Sequence, residues 1–337
     1  MTTSESTDRD LLVGVDVGGS KVAVLVVDSA FNVCARLTVP TAVGEPDEAA
    51  PHIAAAVRAA LQAAGAGLER VAAIGVGVPG RVDPLSGEVS LAVNLGWHRL
   101  PLGDRLEGLL GVPCGVENDV RAAAAGLLER GLLGEIADFV YLSVGTGISA
   151  GVVLDNAVHR GTRGLAGEIG HIVVDVAGPR CSCGLTGCLE TIAAGPAIAR
   201  AADEAIAAGR ATALTHETGI DAAAVYRAAA AGDAVAMEIV SRAGRALARA
   251  IHGLVMTYDV ERVVLGGGVT GAGDGFLAPV LAELDAMRAA SELAAEMLPP
   301  DIVAISPDGR EAGSWGGVSV ARIRASHEEV VAREAMA

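Results

Sequence analysis

A histidine and three cysteines lie close together in the sequence and are of the residue types that bind zinc. His171 precedes Cys181 by ten residues, and Cys181, Cys183 and Cys188 fall within eight residues. Tetrahedral zinc prefers these ligand types, and glycines between the ligands let a loop fold tightly around an ion. A disulfide is the poorer interpretation because Cys181 and Cys183 are too close in sequence to pair comfortably. We therefore predict a structural zinc ion in loop 171–188.

Two glutamates flank the predicted zinc loop. Glu168 and Glu190 fit either a solvated surface role or a role as acceptors for the hydroxyl groups of a sugar. His171 can bind a metal through one ring nitrogen and donate a hydrogen bond to a substrate from the other. Both interpretations of the glutamates stay open at this point.

A glycine-containing turn with charged neighbours follows the first apolar segment. The chemically relevant positions of this turn are Asp16, Gly18, Gly19, Ser20 and Lys21. A carboxylate at a strand end can place hydrated Mg²⁺ beside a polyphosphate, and glycines let backbone N–H groups approach phosphate oxygens. The segment is not a Walker A loop. A plain hairpin turn is the alternative interpretation.

Two further glycine turns follow apolar strands later in the chain. The first is Gly145-Thr146-Gly147, and the second is Gly266-Gly267-Gly268. One such turn is weak evidence. Three at strand ends predict a nucleotide held in a cleft between two domains.

The tripeptide Glu117-Asn118-Asp119 stands between a predicted strand and a predicted helix. Asp119 fits two roles: it could cap the helix N-terminus, or its carboxylate could take a proton from a hydroxyl group. The roles are compatible within the tripeptide, because its residues can divide them.

The surrounding pattern predicts an α/β fold with mixed sheets. The plan of strand, glycine turn, strand and acidic residue occurs at 11–28 and again at 139–156, which suggests two domains of related architecture. We predict helices over 49–64, 119–130 and 234–258, among others. The predicted domains are residues 1–117 and 118–316, with a C-terminal helix at about 317–335 packing back on the first domain.

Composition excludes several classes of protein. The chain has 337 residues and a net charge of −16, which disfavours binding to nucleic acid or to an anionic membrane. Its mean hydropathy is +0.46, yet the longest stretch without Asp, Glu, Lys or Arg is 139–154, which is short and glycine-rich for a membrane span. The polar N-terminus is unlike a signal peptide. We expect a cytoplasmic protein.

Eight segments together resemble the ROK family (repressors, open reading frames and kinases) of the actin-like ATPase superfamily. They are DVGGSK at 16–21, GVPGRVD at 77–83, NLGW at 94–97, END at 117–119, VGTGI at 144–148, GLAGEIGH at 164–171, CSCGLTGCLE at 181–190 and LGGGV at 265–269. The resemblance runs from about residue 11 to 325. It implies a two-domain, ribonuclease H-like α/β fold with a cleft, and the activity of an ATP-dependent hexose kinase, most specifically a glucokinase acting on the sugar 6-hydroxyl.

The resemblance also implies residue roles. Asp119 would be the catalytic base. The sugar-binding residues would be Gly80, Asn94, Asn118, Asp119, Glu168, His171 and Glu190. The residues around ATP would be Asp16, Gly18, Gly19, Ser20, Lys21, Gly145, Thr146, Gly147, Gly267 and Gly268, with Mg²⁺ near Asp16. The zinc ligands would be His171, Cys181, Cys183 and Cys188.

Departures from the family pattern bear on specificity. Arg121 stands where Asn is common, Leu127 where Glu is frequent, and Ser149-Ala150 where Gly-Gly is common. An N-acylhexosamine kinase is the alternative activity. A sugar-sensing repressor is disfavoured, because only ten residues precede Leu11 and family repressors carry a DNA-binding domain there. The resemblance implies a homodimer or homotetramer.

Overall fold

The computed structural model describes residues 9–41, 46–215 and 219–336. Their contacts divide the chain into two compact units. The first unit contains the described residues up to Glu135, the short segment Arg160–Leu165, and the described residues from Glu311 onward. The second contains Ile136–His159 and the described residues of Ala166–Arg310.

The first unit has a five-stranded sheet, a small three-stranded sheet and four helices among its described residues. Its strands are β1 (Leu11–Val17), β2 (Lys21–Asp28), β3 (Val33–Pro40), β4 (Val71–Val78), β5 (Arg81–Asp83), β6 (Glu88–Ala92), β7 (Trp97–Pro101) and β8 (Cys114–Asn118). Its helices are α1 (Pro46–Ala63), α2 (Leu102–Leu110), α3 (Asp119–Glu129) and α10 (Ala312–Met336).

The second unit has its own five-stranded sheet. Its strands are β9 (Phe139–Val144), β10 (Ile148–Leu154), β11 (Ala157–His159), β12 (Arg262–Gly266) and β13 (Val303–Ile305). Its helices are α4 (Glu190–Ala193), α5 (Gly195–Ala207), α6 (Ala222–Ala230), α7 (Ala234–Tyr258), α8 (Asp274–Ala290) and α9 (Glu292–Met297).

The two large sheets have the same topology. The strand orders are β3-β2-β1-β4-β8 and β11-β10-β9-β12-β13. In each, two antiparallel pairings are followed by two parallel ones. The sequence repeat of strand, glycine turn and strand is therefore the start of a repeated five-stranded unit, and the sheets are mixed as predicted.

The C-terminal helix α10 packs against β1, β4 and α3 of the first unit. The backbones approach very closely, since a Cβ at Gly14 would lie 2.2 Å from the carbonyl oxygen of Ser314. Trp315 and Val318 on α10 join Leu12 and Leu25 in a buried cluster. Because α10 also covers α3, the unit extends to Glu135, beyond the boundary at 117 that the sequence suggests.

The core of the second unit lies between its sheet and the helices that follow the cysteine loop. Buried side chains of β9 and β12 pack with those of α7, which is the long helix predicted at 234–258. Alanine is abundant at the buried positions of α7, and small side chains let helices approach closely. In the described part of the chain, no helix combines the length and apolar character needed to cross a membrane.

Candidate active site and metal centre

Three parallel strands of the first unit end at one edge of its sheet. Strand β4 runs parallel to both β1 and β8, so Val17, Val78 and Asn118 end these strands at the same side. Ligands of α/β proteins bind at such carboxyl ends. The topology therefore groups the glycine turn after β1, Gly80 after β4, and the start of α3 after β8.

The turn between β1 and β2 is a tight hairpin. The Gly18 N–H donates to the carbonyl oxygen of Lys21 at 2.8 Å, and the Thr41 hydroxyl donates to that of Gly18 at 2.7 Å. Gly19, Ser20 and Lys21 are exposed. The segment is therefore a hairpin turn. Its tip residues are exposed, which is compatible with the predicted phosphate-binding role.

Asp16 lies near the end of β1, beneath the start of α10. A Cβ on Gly313 would lie 2.4 Å from Cγ of Asp16, so the helix backbone covers this carboxyl group closely. Burial raises the pKa of Asp16 from 3.8 to about 6, and the positive charge of Lys21 opposes the shift. Holding Asp16 ionised at neutral pH therefore costs folding free energy.

Replacing Asp16 by asparagine is expected to stabilise the metal-free fold at neutral pH. The raised pKa means that ionisation of Asp16 destabilises the folded state as pH rises through about 6. The gain for Asp16→Asn should reach up to about 3 kcal/mol at pH 7.5, since one pKa unit corresponds to about 1.4 kcal/mol. It should vanish below the unfolded-state pKa of 3.8. Urea unfolding without added Mg²⁺ across this range measures it; a gain that does not change with pH would contradict the charge argument.

Asn118, and not Asp119, caps helix α3. The Asn118 side-chain oxygen accepts hydrogen bonds from the N–H groups of Val120 and Arg121, both at 3.1 Å. Asp119 is the first residue of the helix and is half-buried. Its Oδ1 accepts from Asn118 Nδ2 at 3.0 Å and from the Val120 N–H at 2.9 Å. The capping role therefore belongs to Asn118, and the proton-accepting role of Asp119 stays a prediction.

Gly80 is joined directly to this turn. Its carbonyl oxygen accepts a hydrogen bond from Asn118 Nδ2 at 3.1 Å. Asn94 lies on the short 3-10 turn Val93–Leu95 and is exposed. Of the sugar-binding residues predicted in the first unit, the structure thus connects Gly80, Asn118 and Asp119 by hydrogen bonds.

Glu117 is a buried charged residue to which the sequence analysis gave no separate role. Its Oε1 accepts from the Asn118 N–H at 2.8 Å and from Arg121 Nε at 2.9 Å, and its Oε2 accepts from Arg160 Nε at 2.8 Å. Arg121 Nη1 also donates to the carbonyl oxygen of Gly164 at 2.8 Å. This network supports the turn that carries Asp119. The departure at Arg121 was visible in the sequence, but its partners were not.

In the second unit, the other two glycine turns lie side by side. Strands β9 and β12 are parallel and end at the same edge of the sheet. A Cβ on Gly145 would lie 3.9 Å from the Gly268 nitrogen. Gly267 has a φ of 88°, which favours glycine, and Thr146 and Gly268 are exposed. The second unit therefore presents exposed turn residues at the position that corresponds to the first hairpin.

Glu190 reaches the turn between β9 and β10. Its Oε2 accepts a hydrogen bond from the Ile148 N–H at 3.1 Å, and a Cβ on Gly147 would lie 2.6 Å from the same oxygen. Glu168 is exposed and immediately precedes the 3-10 turn that carries His171. The simple surface interpretation is thus insufficient for Glu190, whose carboxylate bonds to the backbone beside a predicted phosphate-binding turn.

The predicted zinc ligands converge in three dimensions. The candidate ligand atoms of His171, Cys181, Cys183 and Cys188 all lie within 4.8 Å of one another. Two separations are 3.6 Å: Cys183 Sγ to Cys188 Sγ, and Cys181 Sγ to His171 Nδ1. Tetrahedral zinc with Zn–S bonds of about 2.3 Å needs sulfur–sulfur distances of about 3.8 Å. The donor set and its spacing fit a tetrahedral ion.

Two thiols of the cluster have pKa values shifted in opposite directions. Burial raises the pKa of Cys188 to about 12, whereas the Leu185 N–H lowers the pKa of Cys183. As a zinc ligand, Cys188 would lose its proton when the metal binds.

Comparisons with known proteins agree with this geometry. The sequence model of the ROK family matches residues 12–322. The chain is 34% identical to a glucokinase of Halalkalibacterium halodurans over 81% of this chain and 85% of that protein. It is 36% identical to an N-acetylmannosamine kinase of Escherichia fergusonii over 79% of this chain and 85% of that protein.

A solved structure extends the similarity to the fold. The ROK family glucokinase from Streptomyces griseus, in complex with glucose and AMPPNP, superposes with a TM-score of 0.78 at 31% identity. The alignment covers 93% of this chain and 99% of that protein. The likeness thus includes nearly the whole of both chains.

Proposed function

Because this chain belongs to the ROK family of the actin-like ATPase fold, we propose that it is an ATP-dependent hexose kinase, and most specifically a glucokinase. The observation that carries the proposal is the arrangement of Asn118 and Asp119. Asn118 caps helix α3, and Asp119 presents a half-buried carboxylate at the carboxyl end of β8. A base positioned in this way suits proton removal from a hydroxyl group.

The proposed reaction needs one base and an environment that positions the phosphates. Asp119 accepts the proton of the sugar 6-hydroxyl. The hydroxyl oxygen bonds to the γ-phosphorus of ATP as the bond between that phosphorus and the ADP oxygen breaks. The hydrogen bonds from Asn118 and Val120 to Oδ1 orient the carboxylate. Phosphoryl transfer depends mainly on positioning and charge stabilisation, so no further covalent chemistry is required of the chain.

We assign the glycine turns of both units to ATP. The exposed turn residues Gly19 and Thr146, with Lys21, suit the phosphates, and Gly267 and Gly268 suit the adenosine side. Asp16 is the residue that would hold Mg²⁺ near the phosphates. The ion supplies charge neutralisation when it is bound with ATP.

We assign the sugar hydroxyls to Asn118 and Asp119 of the first unit and to Glu168, His171 and Glu190 of the second. His171 directs Nδ1 toward Cys181, so Nε2 is the ring nitrogen that would donate to a sugar. Zinc would be held by this Nδ1 and the three cysteine sulfurs, and its role would be to stabilise the loop that carries His171 and precedes Glu190.

An N-acylhexosamine kinase is the second candidate, because the 36% identity to an N-acetylmannosamine kinase is slightly higher than the 34% identity to the glucokinase. A coupled assay of the purified chain should separate the two. It would use ATP–Mg²⁺ with glucose, mannose, N-acetylglucosamine and N-acetylmannosamine, and polyphosphate as an alternative donor. We expect the highest kcat/KM with glucose. A higher value for an N-acyl sugar would favour the second candidate, and no turnover of any sugar would refute the kinase assignment.

Assembly and location remain parts of the proposal. We propose a homodimer or homotetramer, which light scattering coupled to gel filtration would measure. A cytoplasmic location follows from the proposed use of ATP and hexose, and an acidic surface suits small-molecule chemistry better than nucleic acid.

A further inference from the structure

The first unit contains a cavity that is separate from the residues assigned to sugar and ATP. Its volume is about 1040 Å³, and its walls come from β5, β6, α2, β8, α10 and the segment 160–164. All of these belong to the first unit. Asn118 and Asp119 are not among the lining residues, although Glu117 and Arg121 on either side of them are.

One wall of this cavity holds an unbalanced charge cluster. The single carboxylate of Glu117 is paired with two guanidinium groups, those of Arg121 and Arg160. The side chains of Glu117 and Arg121 are only 4% and 3% exposed. The buried Glu117–Arg121 pair is neutral, so the excess positive charge of the cluster lies on Arg160, whose side chain is 43% exposed.

Arg121 also has one side-chain nitrogen without a hydrogen-bond acceptor. Its Nε bonds to Glu117 and its Nη1 to Gly164, whereas Nη2 is buried and has no acceptor among the described residues. Buried donors of this kind normally have a partner, and one without a protein partner calls for a water or a ligand. Nearby on the lining, Arg163 is exposed and forms no ion pair within the described part of the chain.

We propose that this cavity binds a small molecule through one oxyanion, a carboxylate or a phosphate, at Arg121, Arg160 and Arg163. Charge-assisted hydrogen bonds from guanidinium groups are the strongest that such an anion can accept. An oxygen at Arg121 would give Nη2 an acceptor, and its negative charge would offset the positive charge of Arg160.

The rest of the cavity limits what the ligand can be. Its other charged lining groups are Arg81, Asp83, Asp104, Glu107, Arg324 and Glu328. Glu107 and Glu328 both form ion pairs with Arg324, so this group of three side chains carries a net charge of about −1. The acidic side chains would repel a polyanion such as ATP or polyphosphate. The ligand is therefore expected to carry a single anionic group.

The site is coupled to the turn that carries the proposed base. Glu117 accepts from the Asn118 N–H, and the Arg121 N–H donates to the Asn118 side chain. An anion at Arg121 would thus contact the residues that hold Asn118. A ligand bound there would be placed to regulate the proposed kinase. Only this regulatory role rests on the proposed function; the binding itself does not.

Titration calorimetry with inorganic phosphate and, separately, with acetate tests the binding itself. The protein is used without nucleotide, sugar or added metal, so the result does not depend on turnover. We expect saturable binding of at least one anion. Arg163→Gln should weaken it about tenfold, the loss typical of one charge-assisted hydrogen bond. Arg121→Gln should abolish it.

Two variants serve as controls. Arg200→Gln removes an arginine outside the cavity that pairs with Glu204, and it should bind the anion as the unmodified chain does. Lys21→Ala removes the cation of the first glycine turn and should also leave binding unchanged. Loss of binding in Lys21→Ala would place the anion at the proposed ATP site and overturn the inference. Unchanged affinity in Arg163→Gln, or no binding of either anion, would overturn it even if Arg121→Gln fails to fold.

Discussion

Asp119→Asn is expected to lower kcat for sugar phosphorylation by a factor of about 10²–10⁴, the usual contribution of general base catalysis. Asparagine has nearly the same shape and retains a side-chain oxygen that can accept from Asn118 Nδ2 and the Val120 N–H. The turn should therefore stay in place while the group that accepts the proton is lost. Steady-state kinetics with saturating ATP–Mg²⁺ measure the effect, and KM for the sugar should change little.

Glu168→Gln is the comparison for this variant. Glu168 is exposed and is assigned to sugar binding alone, so its amide should raise KM for the sugar more than it lowers kcat. The two variants together separate a base from a binding group. If Asp119→Asn keeps nearly the original kcat, Asp119 is not the base.

Cys183→Ser is expected to remove the zinc ion and to destabilise the second unit. Cys183 is exposed, so the substitution removes a ligand without opening a cavity in the core. Structural zinc contributes its binding free energy to folding, and we expect a loss of about 4 kcal/mol or more in the free energy of unfolding. Metal analysis should find about one zinc per chain in the unmodified protein, as a four-ligand structural site requires.

Cys34→Ser is the matched control. Cys34 is also an exposed free cysteine, but it lies on β3 in the first unit and is not one of the four clustered residues. This variant should retain both the metal and the unfolding midpoint. Two results would contradict the zinc assignment: zinc that stays bound in Cys183→Ser, or folded unmodified protein that contains no zinc. Either would leave the convergence of the four side chains unexplained.

The elements that sequence analysis located best are those with a local signal. Helix α7 was predicted at its observed bounds from an alanine-rich segment, and the structure adds that Asp233 caps its start. The glycine hairpins between β1 and β2 and between β9 and β10 were also located correctly. The small β5–β7 sheet and helix α8 were not predicted, since their segments carry only weak periodic patterns.

The sequence by itself determined the features whose parts are close along the chain, and it predicted their chemistry. The zinc ligands, the three glycine turns and the adjacent pair Asn118-Asp119 are of this kind, because a few residues of local backbone bring them together. Only the tertiary structure decided which residue caps α3, how α10 covers Asp16, and that Arg160 and Gly164 bond to the segment around Glu117. The last two contacts each span 43 residues of sequence. Packing of the strands and α10 brings such partners together, and no local pattern records it.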